Sequence, residues 1–442
     1  DFEVGKEFVT FAPVPAGTFG LQETTTSLYV FGSIATPSGI PTGITYQRLQ
    51  HPRGNAMTAI LSSHLFDGKI YAVARYDDGA VHHFFDGTRI ADWDGGASNP
   101  AAKGVVARTR KRKVYSAAGS IVYHSEADDA TGWTIGTDTG AGFINIANED
   151  SGNAAVTGIG RYQDNIVFFT EGPAPVWFVD VDDDLNAPVQ VLESGTLAPR
   201  SVLPYGDLDL FYLSQNGIRS VRARENYDTA SVNDVGTPID THVIAWMAGL
   251  TATEIAAAVA IVEPEDNRFW LAIGTRIYVF SYFPSNKIAA WTWYEPGMSF
   301  SELVVYNRRV YARAGETVYL YGGGDNNSFY SGSNCVLWLP FLSLGKPGSY
   351  KEFSGMDIAA VGTWYAKWYM DPKLPDGADA NSDPEEQVVH VGELTGVTYQ
   401  DDNTMGLSHA THLAPHLRKV SNGYASVSKV SLYYGQADVE QE

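Results

Sequence analysis

Cysteine is almost absent. The 442 residues include a single one, Cys335, so no intrachain disulfide framework can hold the fold. In the apolar stretch CVLWLPFL, Cys335 reads as a small buried hydrophobe. Long hydrophobic runs are missing as well, and none reaches the roughly 18 residues of a membrane span. The chain starts at Asp1 without a basic, then apolar, leader pattern. The expectation is a chain processed or incomplete upstream, made and assembled in the cytosol or released from it.

Charge is sparse too, at 18% of residues, and basic residues are the scarcer sign. Lys and Arg number 30 against 51 Asp and Glu, a formal net charge of −21. That argues against wrapping nucleic acid, because neutralising phosphates takes a basic surface. It is compatible with a pore past which DNA slides without sticking. Catalytic signatures are also lacking: G-x-S-x-G, the P-loop, GxGxxG, HExxH and CxxC do not occur. No cofactor and no enzymatic activity are expected.

What the chain has in quantity is glycine (44) and aromatics, with 25 Tyr, 20 Phe and 10 Trp. At 44% hydrophobic content it can bury a large core. Helical periodicity is rare. The clearest case runs from PIDTHVIAWMAGL through TATEIAAAVA, with Pro238 and Asp240 as start signals. Elsewhere short alternating or apolar strands are cut by Gly, Asp and Asn turns.

One unit recurs: an aromatic-bearing arm, a tight turn, a second arm. It appears in FDGKIYAVARYDDGAVHHFFDG, RKRKVYSAAGSIVYHSEADDATGW and GRYQDNIVFFTEGPAPVWFVD. It returns in YGDLDLFYLSQNGIRSVRA, EDNRFWLAIGTRIYVFSYFPSNKIAAWTWY and VYNRRVYARAGETVYLYGGG. Equivalent first-arm positions are Tyr71, Tyr115, Val167, Phe211, Trp270 and Tyr311, spaced by 44, 52, 44, 59 and 41 residues. The longest gap contains the helical segment, which reads as an insertion. A loose period of about 40–50 residues with paired antiparallel arms is the sequence form of propeller blades. The segment AGTFGLQETTTSLYVFGS supplies either a further blade or the strand that closes the ring. The expectation is an all-β fold, a six- or seven-bladed β-propeller over residues 1–324 with one short helical insertion. A β-sandwich or β-solenoid is the competing arrangement.

Composition changes after Gly324. DNNSFYSGSN, residues 325–334, reads as a polar linker. Residues 335–442 carry long strand-like stretches, GTWYAKWYM and YASVSKVSLYYG, around an acidic, proline-containing loop. They read as a β-sandwich-like domain with a mobile loop near 372–387.

Several constellations invite chemistry and read better as structure. In YAVARYDDGAVHHFFDG, Asp78-Gly79 is a two-residue hairpin signal. Neighbours on a strand alternate faces, so His82 and His83 point apart and cannot share a metal. VDVDDDLN, from Val179 to Asn186, resembles a calcium loop, but Leu185 and Val191 stand where that motif has Gly and Glu. His409, His412 and His416 have helical spacing, yet Pro415 interrupts it, so loop or strand positions are expected. SEADDATGWT, from Ser125 to Thr134, loosely resembles the sialidase Asp-box turn, itself a structural element. RTRKRK places Arg108, Arg110, Lys111, Arg112 and Lys113 in six residues. It reads as a charged turn that could meet an acidic neighbouring subunit. Arg222 and Arg224 alternate in SVRARE, on one strand face. These seven cations are the candidate interface or channel-facing residues; no catalytic, cofactor or metal residue is assigned.

The order PVPAGTFGL…LYVFGS, FDGKIYAVARYDDGAVHHFFDG, VYHSEADDATGW, LFYLSQNGIRSVRA…DVGTPID resembles the β-propeller tail proteins of short-tailed bacteriophages (podoviruses). These are tail nozzle, tail hub or packaged-DNA stabilisation proteins. EDNRFWLAIGTRIYVFSYFP…AAWTWY and LSLGKPGSYKEF continue the pattern, from about Phe11 to Phe353. The resemblance implies a structural virion protein assembled in the host cytoplasm, a subunit of a hexameric ring below portal and adaptor proteins. Such a ring continues the DNA channel, retains the packaged genome and then releases it, without sequence-specific contact. It implies no catalytic residues. The C-terminal partner, a fibre, spike, needle or sister subunit, is left open. The alternative from the residues alone is a propeller glycan-binding protein or glycoside hydrolase, suggested by the Asp-box-like turn and the tryptophans.

Overall fold

The computed structural model describes residues 2–33, 38–49, 55–77, 79–85, 90–93, 106–110, 112–136, 140–146, 155–162, 165–170, 176–180, 189–192, 195–196, 198–206, 209–221, 234–283, 288–324, 328–330, 335–345, 347–370, 387–389, 408–420 and 422–436. The chain forms two compact units. One is Thr10–Tyr321; the other joins Asp1–Val9 to Gly322–Glu442.

The chain opens with β1 (Phe2–Glu3) and β2 (Phe8–Pro13). Sheets then follow one another along the sequence. The first contains β3 (Thr18–Glu23), β4 (Leu28–Gly32) and β5 (Ile44–Arg48), the last two parallel. The second contains β6 (Met57–Phe66), β7 (Lys69–Tyr76), β8 (Gly79–Phe85) and β9 (Ile90–Trp93). The third contains β10 (Val106–Arg110), β11 (Lys113–Ala118), β12 (Ile121–His124) and β13 (Gly142–Asn145). β14 (Val156–Tyr162), β15 (Asn165–Thr170), β16 (Val176–Asp180) and β17 (Val189–Leu192) make the fourth.

The fifth contains β18 (Leu203–Tyr205), β19 (Asp209–Ser214) and β20 (Gly217–Ser220). Two short helices intervene, α1 (Asp240–Met247) and α2 (Ala252–Ala256). The sixth sheet is β21 (Val259–Glu263), β22 (Arg268–Ile273), β23 (Arg276–Phe283) and β24 (Ile288–Tyr294). The seventh is β25 (Glu302–Tyr306), β26 (Arg309–Ala314) and β27 (Thr317–Tyr321), with β2 added beside β27.

Each sheet's first strand touches the first strand of the next, in the order β3, β6, β10, β14, β18, β21, β25, and β25 meets β3 again. This closed circuit is a β-propeller. Seven sheets take part among the described residues. A single sheet leaves two apolar faces wet, whereas ring packing covers both and leaves only short edges.

The repeat frame in the sequence falls on one structural position. Tyr71, Tyr115, Val167, Phe211, Trp270 and Tyr311 lie on β7, β11, β15, β19, β22 and β26, the second strand of each sheet, and all are buried. Strands buried on both faces read as continuous apolar runs. The segment AGTFGLQETTTSLYVFGS builds β3 and β4, a sheet of its own, while the closing strand β2 lies upstream of it. Where sheets touch, side-chain volume is limiting: a Cβ on Gly160 of β14 would lie 2.7 Å from Val202 and 2.8 Å from Leu210.

The second unit has two four-stranded sheets. Its further strands are β28 (Val336–Trp338), β29 (Lys351–Val361), β30 (Trp364–Met370), β31 (Gln387–Val389), β32 (Ser408–Ala410), β33 (Leu413–Lys419) and β34 (Ser426–Gln436). The sheet orders are β1-β34-β29-β32 and β28-β33-β30-β31. Phe353, Met356, Ile358 and Val427 of one sheet share a core with Trp364, Ala366, Leu413 and Leu417 of the other. That is sandwich packing.

Several expectations shift in detail. The helical insertion is two helices, because Thr251 caps α2 anew with a reciprocal Thr251–Glu254 capping box, and the segment has turned to strand by Val259. Residues 1–9 group with the sandwich, since Phe2 pairs with Val427 and Glu3 with Ser426. Within 325–334, Phe329 and Tyr330 are hydrogen-bonded rather than free, to Gly322, Glu7 and Lys6. The remainder of that linker, and the loop near 372–387 up to residue 386, lie outside the described residues. In the β7–β8 hairpin Tyr76 pairs with Gly79, so Gly79 belongs to the β8 ladder rather than to the turn. His82 and His83 are successive strand residues opposite Val73 and Ala72.

Two substitutions test this packing. Trp364→Ala should destabilise the sandwich by about 3–5 kcal/mol in denaturant unfolding, as for other fully buried aromatics. Gly160→Val should cost about 1–3 kcal/mol by overpacking against Val202 and Leu210.

Candidate functional site

First strands of the propeller line an open axial cavity of about 470 Å³. Its wall is largely aliphatic, with Ile60, Ile159, Val202, Ile261, Leu303 and Val304 among its residues. Position on the strands brings a few polar groups to it: Gln22 and Glu23 end β3, Ser63 and His64 lie late in β6, and Glu302 opens β25. Arg200 comes from a 3-10 turn, Pro199–Ser201, just ahead of β18. A smaller apolar pocket of about 280 Å³ lies between α1, α2 and the β19–β20 hairpin, walled by Leu213, Ile244, Met247 and Ile255.

The polar wall groups are partly paired. Ser63 Oγ donates to Gln22 Oε1 at 2.6 Å, and Gln22 Nε2 donates to Glu23 Oε2 at 3.0 Å. Burial pushes the Glu23 carboxyl above its usual range, against a smaller opposing backbone hydrogen bond. Glu302 faces Arg313 across the β25–β26 ladder, and Arg313 Nε donates to its Oε2 at 2.9 Å. Arg313 then reaches into the first sheet: Nη1 donates to the Thr18 carbonyl at 3.1 Å and Nη2 to that of Phe19 at 3.0 Å. A further bond from Nη1 to Gly315, at 3.0 Å, completes its set. Arg200 Nη1 lies 3.6 Å from the other Glu302 oxygen. Burial lowers the Arg200 pKa, with Glu302 opposing and Arg313 adding to the shift.

Of the seven cations singled out in the sequence, Arg112 and Lys113 are described with their side chains, and neither lines this cavity. Arg108 and Arg110 lie on β10, opposite Tyr115 and Lys113, and their side chains fall outside the described residues, as do Lys111, Arg222 and Arg224. Arg112 stands in the β10–β11 turn with a φ of 62° and pairs with Asp128 of its own chain. Lys113 Nζ donates to the Gly140 carbonyl at 3.0 Å. Arg112 and Lys113 therefore serve the local hairpin.

The Asp-box-like turn is similarly self-contained. Asp129 Oδ1 accepts from the Thr131 backbone N–H at 2.7 Å, and Trp133 Nε1 donates to Ala130 at 2.9 Å. Ser125 Oγ, fully buried, accepts from the Val114 N–H at 3.0 Å. His409 and His416 are strand residues and His412 lies between their strands; the His416 ring packs against Trp338 at a 36° tilt with centroids 4.0 Å apart. No group of three metal-ligating side chains occurs among the described residues. The acidic run from Asp180 to Asp184 lies almost wholly outside them. Cys335 is half-buried beside the sandwich core, and burial pushes its thiol up to about 11.

Arg313→Met should destabilise the propeller by about 3–5 kcal/mol in urea unfolding, because it strands Glu302 and two inter-sheet carbonyls. Glu23→Gln should act in the opposite direction. A carboxyl whose folded pKa is raised loses stability as pH rises through that value. The variant should therefore melt higher than the parent at pH 7, with the gain vanishing below the ordinary carboxylate range. Thermal melts across pH check the sign.

No protein-family profile and no curated protein sequence matches the chain. Several solved structures are similar to it at low identity. One is BamB from Moraxella catarrhalis, 8% identical, covering 73% of this chain and 98% of that one, with a TM-score of 0.36. The WD40 domain of Toxoplasma gondii coronin is 9% identical over 72% of this chain and 87% of its own, with a TM-score of 0.40. The extracellular domain of a hybrid two component system from B. thetaiotaomicron is 8% identical over 72% of this chain, with a TM-score of 0.38, and this chain spans 44% of its length. The β-propeller assignment rests on the circuit of first strands.

Proposed function

We propose that the chain is a structural virion protein, one subunit of the ring-shaped tail nozzle of a short-tailed bacteriophage. In this reading the ring, a hexamer, continues the DNA channel below portal and adaptor and helps retain, then release, the packaged genome. The observation that carries it is the placement of the N-terminal strands. β1 completes a sheet of the sandwich and β2 completes the last sheet of the propeller. The N-terminal segment is thereby tied by main-chain pairing into a sheet of each unit, a continuity that suits the wall of a conduit.

Two further features support the reading. The sandwich unit exposes large apolar side chains, among them Trp338 at 61% and Tyr350 at 53%. Exposed aromatics supply contact area for neighbouring subunits or for a fibre, spike or needle. The net charge of −21 suits a surface that duplex DNA passes without binding. The Asp-box-like turn lends little to a glycan-binding or hydrolase reading, because Asp129, Thr131 and Trp133 bond within the turn itself.

Mass photometry and negative-stain microscopy of the purified chain, alone and with the adaptor proteins of its phage, should show a ring, with six copies the expected number. A chain that stays monomeric throughout and is missing from purified particles overturns the proposal. Fluorescence anisotropy should detect no duplex binding at ~0.15 M salt. Tight, salt-sensitive binding would contradict the passive channel wall.

A further inference from the structure

Among the described residues, the wall of the axial cavity has one carboxylate more than it has arginines and lysines. Glu23 and Glu302 stand against a single arginine, Arg200. Arg200 and Glu302 form an ion pair, and Arg313, outside the wall, bonds the other Glu302 oxygen. That cluster sits at the start of β3, because Arg313 also bonds the Thr18 and Phe19 carbonyls. Glu23 ends β3, five residues beyond Thr18 and so roughly 16 Å along the strand. Among the described residues Glu23 is bonded by the Gln22 amide and by backbone, and no cation pairs with it.

The groups beside Glu23 can accept as well as donate. Gln22 Nε2 donates to Glu23 Oε2 at 3.0 Å, and Ser63 Oγ donates to Gln22 Oε1 at 2.6 Å. An amide oxygen and a hydroxyl each keep a lone pair after such a bond. Beyond them the wall is apolar, with Ile60, Ile159, Ile261, Leu303 and Val304. The volume of about 470 Å³ falls within the range of small-molecule sites. Burial already disfavours the Glu23 anion, and a cation beside it would relieve that cost.

We propose that the axial cavity binds a small primary alkylammonium, its ammonium on Glu23 and its apolar tail against the aliphatic wall. An ammonium carries three N–H donors, which suits a carboxylate flanked by Gln22 Oε1 and Ser63 Oγ. The ligand supplies the positive charge that the wall lacks, so an anion of the same length is rejected. This site is independent of the nozzle reading, which concerns the outer surfaces and the assembled ring.

Calorimetry and saturation-transfer NMR on the intact chain test it with hexylamine, hexan-1-ol, hexanoate and N-acetyl-lysine methylamide. Hexylamine should bind at least about tenfold more tightly than hexan-1-ol or hexanoate. Glu23→Gln, the variant expected to melt above the parent at pH 7, should lose this preference, and Glu23→Asp should keep part of it. Amine affinity in the parent should fall as pH drops through the raised Glu23 range, and most of that fall should disappear in Glu23→Gln. His64, Arg200 and Glu302, the other titratable groups of the wall, are the same in both proteins. No saturable hexylamine binding at millimolar concentration overturns the proposal, as does equal affinity for amine and alcohol or a preference that survives Glu23→Gln. Tighter binding of the lysine derivative than of hexylamine overturns the free-amine assignment in favour of a partner's lysine side chain.

Discussion

A ring of sheets laid down one after another has to be closed, and closure here depends on a cation held between its first and last members. Arg313 lies on β26 of the last sheet and donates to the Thr18 and Phe19 carbonyls of β3 in the first. Glu302 neutralises it from the neighbouring strand. Tyr306 adds a second tie, its hydroxyl bonding the Thr26 carbonyl at 2.9 Å. Hydrophobic contact alone is non-directional and would let the two sheets slide. Charge-assisted hydrogen bonds to main-chain carbonyls fix their register as well as their proximity.

The same cation shapes the cavity at the axis. Because Arg313 takes up one oxygen of Glu302, Arg200 is left with the other at longer range. A structural demand, sealing the ring, thereby leaves a partly satisfied guanidinium beside an apolar chamber.

Much of the fold was legible because it is local. The hairpins are carried by alternation and turn residues within about twenty positions, and the buried second-strand residues Tyr71, Tyr115 and Trp270 gave the period away. The two sandwich strands of GTWYAKWYM and YASVSKVSLYYG were equally plain. What escaped was non-local. Glu302 and Arg313 sit opposite one another in a ladder, yet Arg313 meets Thr18 and Phe19 from the other end of the chain. Arg200 stands in LAPRSV, a stretch with no motif around it. The dense cluster RTRKRK drew attention because it is conspicuous in sequence, while Arg112 and Lys113 within it serve one hairpin. β1 escaped notice because two residues carry no periodicity.

The short segment from Phe2 to Pro13 has a consequence for how the chain is made. It is made before its partners β27 and β34, which lie far along the sequence and come later. Until then β3 has no β25 to meet, and the seventh sheet lacks its fourth strand. Contacts of such sequence separation slow folding and leave unpaired edges open to other chains. Newly made chains therefore face a choice between completing their own sheets and lending these strands to a neighbour.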